Sequence, residues 1–469
     1  MKKTRTLALV AILGAIVLSG CNSFLTGDKL TSNPNKPTSV SADQLFIGVQ
    51  VAIMGTWETY PMNLLPLWAQ QIAGVNRQWA SYSNYGSGTD NITSDPLWTA
   101  TYVGGGLADV RRGEAAADAV GNQVQKGQFR VLEALWMGTA ADIWGSVPYS
   151  TAGTGIPTFD SQADVYAHVQ AVLDSALTDL GGSGAGAGVD FYFGGDISKW
   201  VATAHTLKAR FYMHTAEKSD LSYDNTILNS VLTETAAGIS TPDGDFKTVH
   251  SSATFEHNLF YEFLIGSRKG DVEPSATHIN LAKQFNDNVL LAQVYNKNGA
   301  GQYVGSFPGL TVGSTVSTFA IAPETAMLIV SNAENVLLSA EAHYRLGATG
   351  PAATELNTER SNYGESGSAV IPGGTNGLLV GILEEKYVRL FLNPEVYFDY
   401  LRTCVPNIAL PANHTSAFFF VPARLPYGFT EFTTNPNIPA DPDANGNWPK
   451  HATGPAGVAC AGQAQRPGV

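Results

Sequence analysis

Residues Gln128–Ala152 read QFRVLEALWMGTAADIWGSVPYSTA, and this stretch decides the fold class. In its first half, apolar residues recur three or four positions apart, which is the spacing of one face of an amphipathic helix. They are Phe129, Leu132, Trp136, Ala140 and Ile143. Gly145 favours the end of that helix, and Pro148 keeps Val147 out of the helical region. The pattern predicts a helix packed in a helical core, followed by a fixed turn that carries Tyr149.

The composition limits the class of protein. A chain of 469 residues has room for two or three ordinary domains or for one large helical domain. Charged residues make up 14%, against about 25% in a typical globular protein, and this composition suits a surface protein with long loops. The formal net charge is −13 and the sequence has no basic stripe, which argues against a nucleic-acid-binding protein.

The first 20 residues have the features of a secretory signal peptide. Basic residues precede an apolar run over residues 7–18, which is too short to span a membrane. The run ends in LSGC at positions 18–21, which matches the bacterial lipobox. This resemblance implies cleavage before Cys21, lipidation of its thiol and a membrane anchor made of acyl chains such as palmitate. The alternative is an ordinary secretory cleavage site with an incidental cysteine. Residues 21–43 lack periodicity and are interpreted as a tether, which leads to a single domain over residues 44–469.

Between Trp57 and Trp98 the composition changes to aromatic residues among amides, serines and glycines. Residues Ala80–Pro96 show neither helical nor strand periodicity, so we expect a long surface loop there, and such loops are often functional. Aromatic rings can stack on the C–H faces of sugars, while amides and arginines hydrogen-bond the hydroxyl groups. The alternative is that these rings are core residues. The candidate ligand-binding residues are Arg77, Trp79, Tyr82, Asn84, Tyr85 and Trp98.

Periodicity and capping signals predict further helices along the chain. We expect them over residues 44–57, 98–121, 161–180, 196–214, 223–237 and 276–295. Residues 340–363 are similar to a tetratricopeptide unit of two antiparallel helices, although no strict 34-residue period is present. Residues 238–322 are the least regular part, and we interpret them as a loop-rich section of the domain.

Residues Leu383–Pro406 read LEEKYVRLFLNPEVYFDYLRTCVP and predict two helices separated at Asn393-Pro394. We expect Glu384 and Glu385 at the start of the first helix and Arg389 near its end, because this arrangement suits the helix dipole.

Four separated strings resemble the signatures of the SusD/RagB family of nutrient-binding outer-membrane lipoproteins. They are NPNKPT at 33–38, DIWGSVPYS at 142–150, the string at 383–406, and RLPY at 424–427 followed by NPN at 435–437. Their order is that of the family. Gly428 stands where the family pattern commonly has Pro, which puts the local turn in doubt.

The resemblance implies a mostly α-helical SusD-like fold with irregular tetratricopeptide-type helical repeats, loop-rich insertions and few short strands. It also implies a lipid-anchored outer-membrane protein facing the cell surface, with a SusC-type TonB-dependent transporter as partner. Such a protein captures a glycan or an oligopeptide and needs neither catalysis nor a cofactor. Two alternatives stay open: a surface glycoside hydrolase, and a structural helical-repeat adaptor without a small ligand.

The sequence offers few signals for other chemistry. Its nine histidines show no zinc spacing and it has no G-x-S-x-G string, but carboxylates are plentiful enough to leave a glycosidase pair open. Residues Asp441–Asn447 imitate the start of a calcium loop, but Ala452 stands where the acidic twelfth residue belongs, so we expect no metal. With Cys21 lipidated, Cys404 and Cys460 remain as a candidate disulfide in oxidising surroundings.

Overall fold

A computed structural model describes most of the chain. The described residues are 40–60, 62–85, 91–218, 222–309, 315–408, 421–422 and 424–439. The signal peptide, Cys21, most of the tether, Cys460 and the segment Asp441–Asn447 lie outside them, so the predictions for these parts stay predictions. None of the helices in the described part combines the length and the apolarity that a membrane span needs.

The described chain is mostly α-helical, as the sequence predicts. The helices of its first half are α1 (Ala42–Trp57), α2 (Leu64–Trp68), α3 (Arg77–Ser83), α4 (Asn91–Tyr102), α5 (Leu107–Ala119), α6 (Gln123–Trp144), α7 (Gln162–Leu180), α8 (Ile197–Thr215) and α9 (Asn225–Ala237). Those of the second half are α10 (Leu259–Ile265), α11 (Ala276–Phe285), α12 (Asn288–Val294), α13 (Asn332–Arg345), α14 (Thr349–Asn362), α15 (Gly377–Arg389), α16 (Glu395–Thr403) and α17 (Phe429–Thr434).

Pairs of consecutive helices build the scaffold. Helix α5 packs on α6, α6 on α7, α8 on α9 and α13 on α14. Contacts of α13 with α9 and α15 join the pairs to one another. This is the arrangement of tetratricopeptide-type repeats, and it confirms the predicted fold class. The helical hairpin expected within residues 340–363 is present as the end of α13 and the whole of α14.

The strands are short, and they form three separate antiparallel pairs. β1 (Ile72–Gly74) pairs antiparallel with β3 (Val272–Pro274), β2 (Phe246–Lys247) with β6 (Leu328–Val330), and β4 (Tyr295–Asn296) with β5 (Thr318–Phe319). In the β1–β3 pair, Ile72 lies opposite Pro274. The β1–β3 pair brings part of the loop-rich section beside the segment that carries the candidate ligand-binding residues.

Helix α6 forms as predicted and runs through the core. It ends at Gly145, whose φ of +78° is a conformation that glycine adopts without strain. Val147 then forms an isolated β-bridge with Asp160. The Asp160 carboxylate accepts the backbone N–H groups of Tyr149 and Ser150 at 2.9 and 2.7 Å. These bonds fix the turn that the Gly and Pro positions predict.

Three predictions about element boundaries are wrong. The single helix expected over residues 276–295 is divided at Asn286 and Asp287 into α11 and α12. Residues 80–96, expected to be a surface loop, contain the end of α3 and the start of α4, with Pro96 inside α4. The single helix expected over residues 98–121 is divided into α4 and α5 by residues 103–106, three of which are glycines. Short helices carry too few apolar positions to show a period, so the periodicity argument could not detect α3.

The string at 383–406 supplies buried ion pairs, and Arg389 lies in the last turn of α15, as expected. Glu384 and Glu385 lie in the middle of α15 and not at its start, which corrects the expectation from the sequence. Glu385 pairs with Arg360 of α14 at 3.0 Å, and Lys386 pairs with Asp399 of α16 at 2.8 Å. Because buried charges require such partners, these side chains join three helices.

Candidate functional site

Helix α3 presents a polar face at the surface beside the β1–β3 pair. The Asn76 side chain accepts the backbone N–H of Arg77 at 2.9 Å at the start of the helix. The backbone N–H groups of Val75 and Asn76 donate to the carbonyl oxygen of Asp271 at 2.9 and 3.3 Å. Helix α3 is therefore held against the segment that leads into β3. Its exposed polar side chains are Asn76, Arg77, Gln78 and Ser81.

Four aromatic side chains, here called the aromatic cluster, lie beside this polar face: Tyr60, Trp79, Tyr82 and Phe263. The rings of Tyr60 and Tyr82 stack with centroids 5.7 Å apart and planes inclined by 15°, and their hydroxyl oxygens are 3.3 Å apart. Trp79 is buried and contacts Phe263 edge-on at 5.0 Å. Because Tyr60, Tyr82 and Phe263 stay half-buried, parts of their surfaces are open to a ligand.

Charged side chains border the aromatic cluster. Arg77 forms an ion pair with Asp271, and Arg268 Nη1 lies 3.5 Å from the other carboxylate oxygen of Asp271. Arg77 Nη2 also donates to the carbonyl oxygen of Lys269 at 3.3 Å, and Arg268 Nη2 donates to Gln78 Oε1 at 3.4 Å. The Asp271 side chain is fully buried, whereas those of Arg77 and Arg268 are 45% and 41% exposed. The buried carboxylate thus holds two guanidinium groups at the surface.

The structure divides the six candidate ligand-binding residues into two groups. The first group, which is exposed or half-buried, is Arg77, Tyr82 and Asn84. The second group, which is buried, is Trp79, Tyr85 and Trp98. A buried ring offers no face to a ligand, so direct ligand contact is supported for the first group alone.

The buried rings have structural partners that explain their position. The Tyr85 hydroxyl donates to the carbonyl oxygen of Trp68 at 3.2 Å, and burial raises the pKa of Tyr85 well above its usual value. The Trp98 ring packs edge-on against Trp144 and Tyr427, with centroids 5.0 and 5.5 Å away. For these two residues the core interpretation that the sequence left open is the better one.

The sequence argument missed three residues of the site. Tyr60 lies in the same aromatic-rich segment as the candidates and could have been included on that ground. Phe263 and Arg268 come from the loop-rich section almost two hundred positions later, and only the pairing of β1 with β3 places them here. No motif in the sequence points to that pairing.

A separate cavity of about 430 Å³ has mostly apolar walls. Its lining includes Leu259 of α10 and the fully exposed Phe255. His250 lines it too, but both of its ring nitrogens are occupied. Nε2 lies 2.6 Å from Glu58 Oε1, and Nδ1 lies 3.1 Å from the carbonyl oxygen of Glu256. Since sugar hydroxyls need hydrogen-bond partners when they leave water, the aromatic cluster suits a sugar better than this cavity does.

Asp142, His214 and Glu395 bring their side-chain oxygen and nitrogen atoms within 4.8 Å of one another inside the scaffold. His214 Nδ1 lies 2.7 Å from Asp142 Oδ1, and Nε2 lies 3.1 Å from Glu395 Oε2. Burial alone would lower the pKa of His214, but the two carboxylates outweigh it and raise the pKa to about 10. A metal requires a neutral imidazole with a free nitrogen, whereas both nitrogens here face carboxylates. We interpret the group as a buried ion-pair network.

Glu114 and Glu133 form a carboxyl pair, which bears on the glycosidase alternative. Burial and a hydrogen bond with Glu133 raise the pKa of Glu114 to about 9, so Glu114 is protonated at neutral pH. Each carboxyl group also has an arginine partner: Glu114 Oε2 lies 3.4 Å from Arg130 Nε, and Glu133 Oε1 lies 3.1 Å from Arg111 Nη2. We interpret the group as a structural contact between α5 and α6.

Cys404 is buried at the end of α16 and is disulfide-bonded. Both other cysteines of the chain, Cys21 and Cys460, lie outside the described residues. The pairing of Cys404 with Cys460 therefore stays a prediction.

Comparisons with known proteins support one family. Residues 34–428 match a SusD-like family described as "Starch-binding associating with outer membrane". Similar solved structures include a SusD/RagB family protein from Bacteroides thetaiotaomicron, with 19% identity, a TM-score of 0.68 and coverage of 85% of this chain and 95% of that chain. A chitin-binding SusD homolog from Flavobacterium johnsoniae has 18% identity, a TM-score of 0.67 and coverage of 84% and 93%. No curated protein matches.

At identities of 18–19%, the similar structures show the fold alone. The family match shows the family, because it extends over most of the chain. Four strings identified in the sequence fall largely within the matched range. The chain therefore belongs to the SusD-like family, which is described as starch-binding and associating with the outer membrane.

Proposed function

We propose that this protein is a cell-surface nutrient-binding lipoprotein that captures a glycan at the aromatic cluster. The observation that carries the proposal is the stacked, half-buried pair of Tyr60 and Tyr82 beside the exposed side chains of Arg77 and Gln78. Aromatic faces stack on sugar rings, and guanidinium and amide groups hydrogen-bond their hydroxyls. Capture by these contacts needs no chemical step, so the protein acts as a binding protein and not as an enzyme.

The family description and the chitin-binding homolog support a glycan as the ligand class. An oligopeptide is the second candidate ligand. The apolar cavity at Phe255 and Leu259 favours it, because an apolar side chain could fill this space without needing hydrogen-bond partners.

Anchoring and handover form the second half of the proposal. Lipidated Cys21 and the tether up to residue 43 would hold the binding domain at the outer surface of the outer membrane. The bound glycan would then pass to a SusC-type TonB-dependent transporter. A Cys21→Ser variant should leave the membrane fraction, and the native protein should co-purify with such a transporter from detergent-solubilised membranes. A variant that stays in the membrane fraction would contradict the anchor.

Isothermal titration with malto- and chito-oligosaccharides tests the ligand. Tyr82→Ala should weaken binding at least tenfold, because it removes one stacking face. Phe255→Ala is the matched control: it removes an exposed ring outside the aromatic cluster and should leave glycan affinity unchanged. If Phe255→Ala abolishes binding of apolar oligopeptides instead, the second candidate is favoured.

The same purified protein separates the remaining alternatives. New reducing ends after incubation with oligosaccharides would establish a glycoside hydrolase. Absence of any glycan or peptide binding, together with retained transporter association, would favour a structural adaptor.

A further inference from the structure

An electropositive edge borders the aromatic cluster and is formed by Arg77, Arg268 and Lys269. It stands out because the chain as a whole has a formal net charge of −13. Within the described part of the chain, Asp271 is the one carboxylate ion-paired with either arginine, and Lys269 is exposed. Three positive charges therefore share one buried negative charge, which leaves the edge positive at neutral pH.

The two guanidinium groups are held in place rather than free to swing into solvent. Arg77 hydrogen-bonds to the buried Asp271 carboxylate and to Lys269 O. Arg268 forms an ion pair with the same carboxylate at 3.5 Å and hydrogen-bonds to Gln78 Oε1. Fixing them in advance lowers the entropic cost of binding an anion. Planar guanidinium groups bind carboxylate and sulfate oxygens through paired N–H donors.

The backbone of Arg77 adds a second observation. Its φ is +47°, a left-handed conformation that is uncommon for a residue other than glycine. Such a conformation is strained, and it tends to persist where the surrounding structure holds a functional side chain. Here the ion pair with Asp271 and the Asn76 cap supply that support.

From this geometry we propose that the ligand is an acidic glycan. A carboxylate or sulfate group binds at Arg77 and Arg268, while an adjacent sugar ring contacts Tyr82. This inference rests on the proposed function, because it assumes that the aromatic cluster is the glycan site. It names the substrate class, which neither the family description nor the related structures give.

Matched polymers that differ only in charge test the inference by affinity electrophoresis at low and high salt. The pairs are polygalacturonate against its methyl ester, for a carboxylate, and dextran sulfate against dextran, for a sulfate. In at least one pair the charged polymer should bind at least tenfold more tightly than the neutral one. This preference should shrink as salt is raised from about 20 to 200 mM, because half-exposed charges are screened.

Variants identify the residues responsible. Arg268→Gln combined with Lys269→Gln should lower the affinity for the charged polymer at least tenfold and leave the neutral polymer unaffected. Arg77→Lys keeps the charge next to Asp271, so it preserves the fold while removing the paired donors, and it should weaken binding of the charged polymer. Arg112→Ala removes a guanidinium that is 72% exposed outside this edge, and it should change nothing.

The outcomes separate this inference from the proposed function. Tyr82-dependent binding of neutral glycans with no preference for either charged polymer would overturn the inference and leave the proposed function standing. An equal loss of affinity for the charged polymer in the Arg112→Ala variant would also overturn the inference, since binding would then reflect general charge attraction. If neither these polymers nor the malto- and chito-oligosaccharides bind, the proposed function fails as well.

Discussion

The indole Nε1 of Trp144 donates a hydrogen bond to the carbonyl oxygen of Pro426, 3.0 Å away and 282 positions later in the sequence. The same N–H lies 3.0 Å from Ser94 Oγ. In return, Arg424 Nη1 donates to the carbonyl oxygen of Trp144 at 3.2 Å. Two of the strings that identify the family are therefore hydrogen-bonded to each other, which holds residues 424–427 against the end of α6.

Trp144→Phe should destabilise the protein, because it removes the hydrogen bonds of the Trp144 indole. The change removes the donor and leaves the Pro426 carbonyl and the Ser94 hydroxyl short of a partner in a buried place. An unsatisfied buried polar group costs about 1–3 kcal/mol. We expect a loss of that size in the free energy of unfolding, measured by urea denaturation followed by circular dichroism.

Trp136→Phe is the matched control for this experiment. Trp136 is equally buried in the same helix, but its Nε1 makes no hydrogen bond in the described structure. Both variants lose similar apolar area, so their difference isolates the hydrogen bond. Equal destabilisation of the two variants would contradict a contribution from the Trp144–Pro426 bond.

His214→Gln should destabilise the protein in a pH-dependent way. The folded pKa of His214 is raised to about 10, above its ordinary value near 6.5, by Asp142 and Glu395. Its contribution is therefore fully present below about pH 6.5 and declines as the pH rises towards 10. At pH 6 the loss should be about 3–5 kcal/mol, because the variant leaves the buried Asp142 carboxylate without its cation, whereas Glu395 keeps Arg210 at 3.4 Å.

Urea denaturation of both proteins between pH 6 and pH 9.5 measures this effect. The difference in unfolding free energy should narrow steadily as the pH rises. His168→Gln, which changes an exposed histidine, should show no such trend. If the difference in unfolding free energy between the wild type and His214→Gln is the same at every pH, His214 is not a buried cation.

Gly428→Ala should also destabilise the protein, although the family pattern commonly has Pro at this position. A Cβ atom added at Gly428 would lie 2.7 Å from Cβ of Trp98 and 2.9 Å from Asp95 Oδ1. We expect a loss of about 1–3 kcal/mol from overpacking. Gly350→Ala, where no atom lies within 4 Å of the added Cβ, should be neutral or slightly stabilising. Equal thermal midpoints for the two variants would exclude a tight contact at Gly428.

How far the sequence predicted the structure depended on the length of each element. Helix α6 has 22 residues and shows a full apolar period, so its position and its end at Gly145 could be predicted. Helix α3 has seven residues, too few for a period, and its last four residues fall within the stretch expected to be a loop. Within it, the candidates Arg77 and Tyr82 are exposed and half-buried respectively, and their contact with a ligand stays a prediction.

The rest of the candidate site depended on contacts that leave no local pattern. Strands β1 and β3 have three residues each, which is too short for a recognisable alternation. Their pairing nevertheless brings Phe263 against Trp79 and Arg268 against Gln78. Burial was equally hard to predict, because Trp98 and Tyr82 belong to one aromatic-rich segment of the sequence, yet Trp98 is buried and Tyr82 is half-buried.

The predicted Cys404–Cys460 disulfide can be tested by its effect on the unfolded chain. Such a bond would close a loop of about 55 residues and so contribute on the order of 4 kcal/mol, chiefly by restricting the unfolded ensemble. Cys404→Ser should lower the free energy of unfolding by about that amount. A reducing agent should lower the free energy of unfolding of the wild type by the same amount. It should leave that of Cys404→Ser unchanged. Peptide mapping without reduction should recover a peptide that joins Cys404 to Cys460; recovery of Cys460 as a free thiol would exclude this pairing.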